Sequence, residues 1–298
     1  MATTRPAAGD VGTAGLLPPW KKAAWYVVLS ALSLLVLFPV YMTIVRALST
    51  PAVYVREGQP VYPVAIQWDI FTRAFQVGEL GPKILISVVV TLVIVAAQVT
   101  TSVLAAYAFA FLDFFGKRVV FALFMATLML PIEVTLIPNV QTVRGAPTNS
   151  WLQWTHLDLN SIQALTIPFL ATALGTFLIR QGFMGIPRDL RDASQLDGFG
   201  HLAFLRRVAI PVTRPIVASF AVISFLGAWN QYTWPRAVTT EGRWETIQIG
   251  LKSVSSSTVE QSNIGLAAAL IAALPVLALL IFLQRHLIRG LTAGAVKG

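Results

Sequence analysis

An all-α, polytopic membrane fold with six transmembrane helices is predicted by three features of this 298-residue sequence. Charged residues make up only 12% of it, against about 25% in an ordinary soluble domain, while 56% is hydrophobic. The apolar residues gather into six charge-free runs, several as long as the roughly 20 residues that cross about 30 Å of hydrocarbon. Barrel strands would be about 10 residues long with alternating polarity, and open strands cannot satisfy their backbone in lipid. All six runs are therefore read as helices.

The first run, Ala23–Val45, is too long for a signal-peptide core and has no obvious small-residue cleavage site behind it, so it is read as a retained anchor. Residues 1–22 contain Pro6, Pro18, Pro19 and several Gly and Ala, with nothing to build a core from, and are expected to form a disordered tail. The second run is Ile84–Leu112. The third, Val119–Ile132, is short, but it continues through Glu133 to Pro138, which predicts one helix over about 119–139 with Pro131 and one carboxyl inside it. Leu159–Ile179, Pro215–Pro235 and Ile264–Leu283 complete the set. The membrane domain is thus expected to fill residues 23–298, with spans at about 23–45, 84–112, 119–139, 159–180, 215–235 and 264–284.

Orientation follows from the Lys and Arg residues. With the amino terminus inside, the inner segments hold 14 of the 22 basic residues, among them Lys21, Lys22, Lys117, Arg118, Arg188, Arg191, Arg206 and Arg207. The outer segments hold Arg46, Arg56, Arg73, Lys83, Arg144, Arg236, Arg243 and Lys252. This inner excess predicts both termini in the cytoplasm of a bacterial-type cell membrane, and it makes the high pI a topology signal rather than a sign of nucleic-acid binding. Cysteine is absent, and His156, His201 and His286 form no ligand-spaced pair, so neither thiolate nor metal chemistry is predicted.

The inner connection between the fourth and fifth spans is strongly patterned over residues 186–211. Pro187 suits a first helical residue and Asp189 favours the positive amino end of a helix. Leu190, Ala193 and Leu196 recur at helical spacing beside a charged face. Gly198 and Gly200 break that helix, and a second stretch with Leu202, Leu205 and Val208 on one side ends before Pro211. The predicted object is a short helix, a glycine hinge and another short helix. An ordinary amphipathic helix on the membrane surface would share the apolar stripe. It would not need an Asp-Gly hinge or a proline at each end.

The run Asp192-Ala193-Ser194-x-x-Asp197-Gly198, followed by Val208-Ala209-Ile210-Pro211, resembles the Glu-Ala-Ala-x-x-x-Gly loop, ending in Ile-x-Leu-Pro, of permeases in ATP-binding-cassette importers. Asp192 in place of Glu is the departure that matters most, since its carboxylate is one methylene shorter. Leu128-Met129-Leu130-Pro131-Ile132-Glu133-Val134, Ala228-Trp229-Asn230-Gln231-Tyr232-Thr233-Trp234-Pro235 and Gln284-Arg285-x-x-Ile288-Arg289-Gly290-Leu291 are similar to stretches of second permeases from carbohydrate importers of the maltose and glycerol-3-phosphate type. The resemblance implies a subunit that is not itself an enzyme: it moves a small polar solute inward by alternating access. ATP and Mg would be bound by a separate cytoplasmic ATPase present in two copies, since the chain holds no G-x-x-x-x-G-K-[ST] loop and binds no cofactor of its own. It also implies a second homologous permease and an extracytoplasmic solute-binding protein docked on the outer loops 48–83 and 237–262. In that frame Asp189, Asp192, Ala193, Ser194, Asp197, Gly198 and Pro211 are the expected ATPase-coupling residues.

Candidate residues of the solute path are Trp229, Asn230, Gln231, Tyr232 and Glu133. The amides of Asn230 and Gln231 could bond a polyol or phosphate, or bridge helices, and a carboxyl in the membrane is a functional candidate by default. Trp229, Tyr232 and Trp234 are read mainly as an interfacial aromatic belt. The resemblance favours sn-glycerol-3-phosphate or a glycerophosphodiester as solute, with a neutral sugar or oligosaccharide as the alternative. An intramembrane enzyme would need a second carboxyl to pair with Glu133, and a secondary transporter would need ion-coupling acids at mid-membrane and an inverted repeat. The sequence shows none of these.

Overall fold

A computed structural model describes residues 18–144, 159–254 and 261–292, and every regular element among them is helical. The chain opens with the long helix α1 (Pro19–Leu48). The expected tail is therefore corrected at its end. Residues 19–22 are helical because Pro19 sits at the first turn, where its fixed φ suits a helix and no N–H is needed. The rest of the tail, residues 1–17, lies outside the described part. Two short helices, α2 (Pro51–Arg56) and α3 (Ile70–Val77), lead into the second long helix, α4 (Leu80–Phe111).

The single helix expected over 119–139 is not formed. Instead α5 (Lys117–Ala126) runs on as one 3-10 turn to Met129 and stops, and α6 (Ile132–Arg144) restarts at an angle of 103°. Pro131 is the cause. It has no N–H to continue the ladder, and its ring forces the preceding residue out of the helical region, where Leu130 is found at φ −82°, ψ 113°.

The fourth span is also broken. α7 (Ile162–Thr166) tightens into a 3-10 turn over Ile167–Phe169, and α8 (Ala173–Met184) follows at 46° after an extended Thr172. Such a break frees carbonyls that lipid cannot bond, and a neighbouring helix must satisfy them. Here α4 does so: Gln98 Nε2 donates to the Phe169 carbonyl at 2.8 Å and Thr101 Oγ1 to that of Leu170 at 3.0 Å. Gln98 Oε1 in turn accepts from Ser224 Oγ at 2.8 Å.

Next come α9 (Arg188–Leu196), α10 (His201–Phe204), a π-helical stretch over Leu205–Ala209 and α11 (Ile210–Val212). The wide turn falls just ahead of Pro211, which cannot donate and whose ring would crowd the Arg207 carbonyl in a regular helix. α12 (Arg214–Trp229) leaves this run at 80° and ends at Trp229, not at Pro235 as the apolar run suggested. Then α13 (Thr233–Val238) and α14 (Ile247–Val254) precede the last long helix, α15 (Ser262–Thr292). Among the described residues, three continuous helices and three bent pairs are long and apolar enough to cross a membrane, which gives six crossings when each pair counts as one.

α4 is the hub, packed against α8 on one side and α12 on the other, while α15 packs on α12, α1 and α3. Close approach depends on small residues. Ala267, Ala268 and Ala272 of α15 are buried against Ala47, Ala74 and Trp229, and Gly175 of α8 meets Phe220 and Ser102 with no room for a methyl group. Lys83 of α4 is 7% exposed and forms an ion pair with Glu245, just ahead of α14, at 3.1 Å. Asn160, at φ 61°, accepts the N–H groups of Thr240 and Glu241 through Oδ1 at 2.6 and 3.0 Å.

Candidate functional site

The loop 186–211 folds as the helix, hinge and helix that its pattern predicts. Pro187 is the residue before the helix rather than its first, with α9 beginning at Arg188 and Asp189 in the first turn. α9 closes on Gly198 at φ 76°, a left-handed conformation in which a side chain is strained. Phe199 N–H bonds the Ser194 carbonyl at 2.9 Å and Gly198 N–H the Gln195 carbonyl at 3.0 Å, the paired bonds of a glycine-terminated helix end.

Which face of α9 is buried differs from the amphipathic reading. Leu190, Ala193 and Leu196 turn outward, Leu196 being 89% exposed, with Asp189, Asp192 and Asp197 also exposed. The inward face is Ser194, 4% exposed, whose Oγ donates to the Arg191 carbonyl at 2.7 Å, together with Arg191 itself. Arg191 lies 5.7 Å from the Phe111 ring centroid, with Nη2 3.4 Å from the Phe111 carbonyl. The stripe is therefore free for something outside the chain, whereas Ser194 is not. In the second stretch the buried residues are Phe204, Leu205 and Ala209, while Leu202 is exposed, which corrects the expected apolar side. Pro211 is exposed in α11.

The loop is joined to the membrane helices through aromatic rings. The Tyr107 hydroxyl stands 2.9 Å from His201 Nδ1, and Phe111 packs edge-on against Phe204 at 5.3 Å and beside Phe183 at 5.7 Å. Tyr107 and Phe111 belong to the end of α4, the hub helix. Arg191, Phe111, Tyr107 and Phe204 thus form a continuous line of contacts between the loop and α4, which the sequence showed only as unrelated aromatics.

The five solute-path candidates are only partly brought together: the cavities lined by Trp229 and Asn230 and by Tyr232 share Gln248, Leu251 and Ala269, while Gln231 and Glu133 stand apart from both. α12 ends at Trp229, and the irregular backbone that follows sends successive side chains in different directions. Trp229 and Asn230 line a cavity of about 330 Å³ against α15. Gln231 lines another of about 230 Å³ that also holds Gln98, Thr172 and Ser224. Tyr232 lines a third of about 490 Å³ with Arg46 and Lys252. Asn230 is engaged locally, its Nδ2 donating to the Leu226 carbonyl at 2.9 Å, whereas Gln231 Oε1 is buried without a hydrogen-bond partner.

Glu133 is exposed in the first turn of α6, where a carboxylate suits the positive helix end, and these three cavities are lined without it. The aromatic-belt reading is corrected for two of its three members. Trp229 and Trp234 are 2% and 1% exposed, one stacked on Phe225 and the other donating from Nε1 to the Ala164 carbonyl at 3.0 Å. They are core anchors. Gln98, Arg46 and Lys252 were missed. Gln98 was visible as a lone amide inside an apolar run, and the two cations were counted only for topology.

Bent membrane helices packed on a hub, with an exposed helical loop on one surface, fit a transport permease, a subunit that moves solute rather than transforming it. The chain belongs to the family of binding-protein-dependent transport system inner membrane components, whose profile matches residues 98–293. It is 31% identical over 266 residues to the sn-glycerol-3-phosphate transport system permease protein UgpE of Yersinia enterocolitica, covering 87% of this chain and 91% of that one. It is 29% identical over 270 residues to the arabinooligosaccharides transport system permease protein AraQ of Bacillus subtilis, covering 90% and 92%. Among solved structures, a bacterial ABC transporter involved in the import of the acidic polysaccharide alginate shares the fold, with a TM-score of 0.74 at 19% identity over 91% of this chain and 98% of that one. The protein is a multi-pass ABC importer permease.

Proposed function

We propose that this permease imports sn-glycerol-3-phosphate or a glycerophosphodiester, delivered by an extracytoplasmic binding protein. A second, homologous permease completes the path, and two copies of a cytoplasmic ATPase power it. The observation that carries the solute reading is the end-to-end similarity to UgpE permeases, supported by the Trp229-Asn230-Gln231-Tyr232 string. The similarity to AraQ favours a neutral oligosaccharide as the second reading. For the partners, the exposed Leu190, Ala193 and Leu196 stripe of α9 supports docking in a groove on the ATPase, and a related structure holds an alginate transporter with its solute-bound periplasmic protein. ATP and Mg belong to that ATPase. Closure of its two copies drives α9 and, through Arg191 and the aromatic contacts, the end of α4, which exchanges inward- and outward-open states.

Two measurements test this. The importer, purified through a tag on this chain, should carry an ATPase with it, and proteoliposomes loaded with ATP should accumulate glycerol-3-phosphate and not arabino-oligosaccharide. Accumulation of the oligosaccharide alone would transfer the assignment to the second reading. Orientation is tested separately in this cysteine-free chain. Ser194 is too buried to report and the α9 stripe is the proposed docking face, so single cysteines belong at the exposed Phe115 and Glu57. An impermeant thiol reagent should label Phe115→Cys only from the cytoplasm and Glu57→Cys only from outside, and reversed labelling would overturn the topology.

A further inference from the structure

The basic residues of the outer segments differ in what they bond. Among the described residues, Arg73 pairs with Asp69, Lys83 with Glu245 and Arg243 with Glu241. Arg46 and Lys252 pair with no carboxylate there, and both line the same cavity of about 490 Å³, within the size range of small-molecule sites. Each sits in the last turn of its helix, α1 and α14 respectively, where the carbonyl ends of the backbone favour a cation. The helix ends ease the placing of two like charges in one cavity, and among the described residues no acid lines it.

We propose that this cavity is an anion-recognition site at the outer mouth of the solute path, taking a phosphomonoester. The proposal rests on the orientation and the solute reading given above. Arg46 offers the planar fork that suits phosphate oxygens, and Lys252 offers a point charge. Two neutral donors stand beside them. Tyr232 presents a hydroxyl, and Gln248 has an amide whose only described contact is a long one, 3.4 Å to Asn230 Oδ1. Gly265 and Ala269 of α15 supply a wall with little side chain, which leaves the volume open. A neutral polyol of the same size can accept hydrogen bonds from the same groups but has no negative charge to attract the two cations. The site therefore selects the phosphorylated solute over its dephosphorylated form, a role the sequence reading had given to Asn230 and Gln231.

Phosphate also reaches cations at this depth as a lipid headgroup, and the test separates the two sources. The assembled importer is placed in lipid nanodiscs and treated with an amine-reactive reagent. Modification of Lys252 is read by mass spectrometry, with the exposed Lys21 at the other end of α1 as internal reference. Glycerol-3-phosphate should slow modification of Lys252 severalfold and glycerol should not. In proteoliposomes with saturating solute-loaded binding protein, Arg46→Gln with Lys252→Gln should lower uptake about tenfold or more, the cost of losing charge-assisted bonds. Arg46→Lys with Lys252→Arg should lose clearly less, since both charges stay while the fork is moved, and stimulation of ATP hydrolysis by the binding protein should persist in both, showing intact assembly.

Equal protection by glycerol, or none by glycerol-3-phosphate, would overturn the site. So would protection in nanodiscs relative to detergent that glycerol-3-phosphate cannot alter, which would give the cations to lipid. Equal loss in the charge-neutral and charge-conserving pairs would show packing rather than charge and would overturn it too. A wild-type importer that moves only neutral sugars would sink the solute reading, while protection of Lys252 would still uphold the anion site.

Discussion

Gly198→Pro is expected to leave the permease inserted and assembled while reducing uptake to background and removing the ATP hydrolysis that accompanies it. Gly198 holds φ 76°, with its Cβ position facing open space, so the effect comes from backbone alone. Proline is confined near φ −65° and has no N–H, so the bond to the Gln195 carbonyl is lost and the tight end of α9 opens at a cost of about 1–3 kcal/mol. In the coupling role proposed above, the helix would then meet an ATPase at the wrong angle, and Arg191 would no longer bear on Phe111. Asp192→Lys keeps that backbone and reverses an exposed charge on the docking helix, so it isolates the contact from the turn. It should also abolish coupled hydrolysis. Normal uptake and hydrolysis in both variants would show that α9 is not the coupling element.

Gly175→Val should have the largest effect on stability. An added Cβ would lie 2.2 Å from Phe220 Cζ and 2.4 Å from Ser102 Oγ, distances no real contact reaches. The Phe220 ring is 1% exposed and held within the cluster of Val103, Ile179 and Phe183, so it has nowhere to turn. Overpacking of this kind costs about 3 kcal/mol, a large share of the stability of most proteins. The measurable result is loss of monodisperse complex on size exclusion and a lowered unfolding midpoint. Gly227→Ala is the matched control: its Cβ position is open, and a helical alanine should be neutral or stabilising by up to about 1 kcal/mol. Equal stability of the two variants would mean that α4, α8 and α12 do not pack as described.

The sequence by itself determined how many times the chain crosses the membrane and which connection is specialised, because both are local. Apolar length fixes a span through the thickness of hydrocarbon, and Asp197-Gly198 fixes a turn through the steric freedom of glycine. The same local chemistry held the breaks that were passed over. Pro131 lay in plain view, yet the length gained by reading the apolar stretch on through Glu133 outweighed it, and the bend needed only the clash that every proline makes with the residue before it.

Tertiary structure alone decided which way side chains point once the helix stops. Trp229, Asn230, Gln231 and Tyr232 look like one site in a line of text, but after the last turn of α12 no fixed period relates them, and Gln231 enters a different cavity from the adjoining ones that the other three line. Burial direction on α9 was equally out of reach, since a stripe of Leu190, Ala193 and Leu196 fits an inward or an outward face. Only the contacts of Arg191 and Ser194 with the rest of the chain choose between them. The convergence of Arg46 and Lys252, some two hundred residues apart, depends on how α1, α14 and α15 pack. No local rule relates the last turns of two helices so distant in sequence; the packing that fills space around Ala267, Ala268 and Ala272 does.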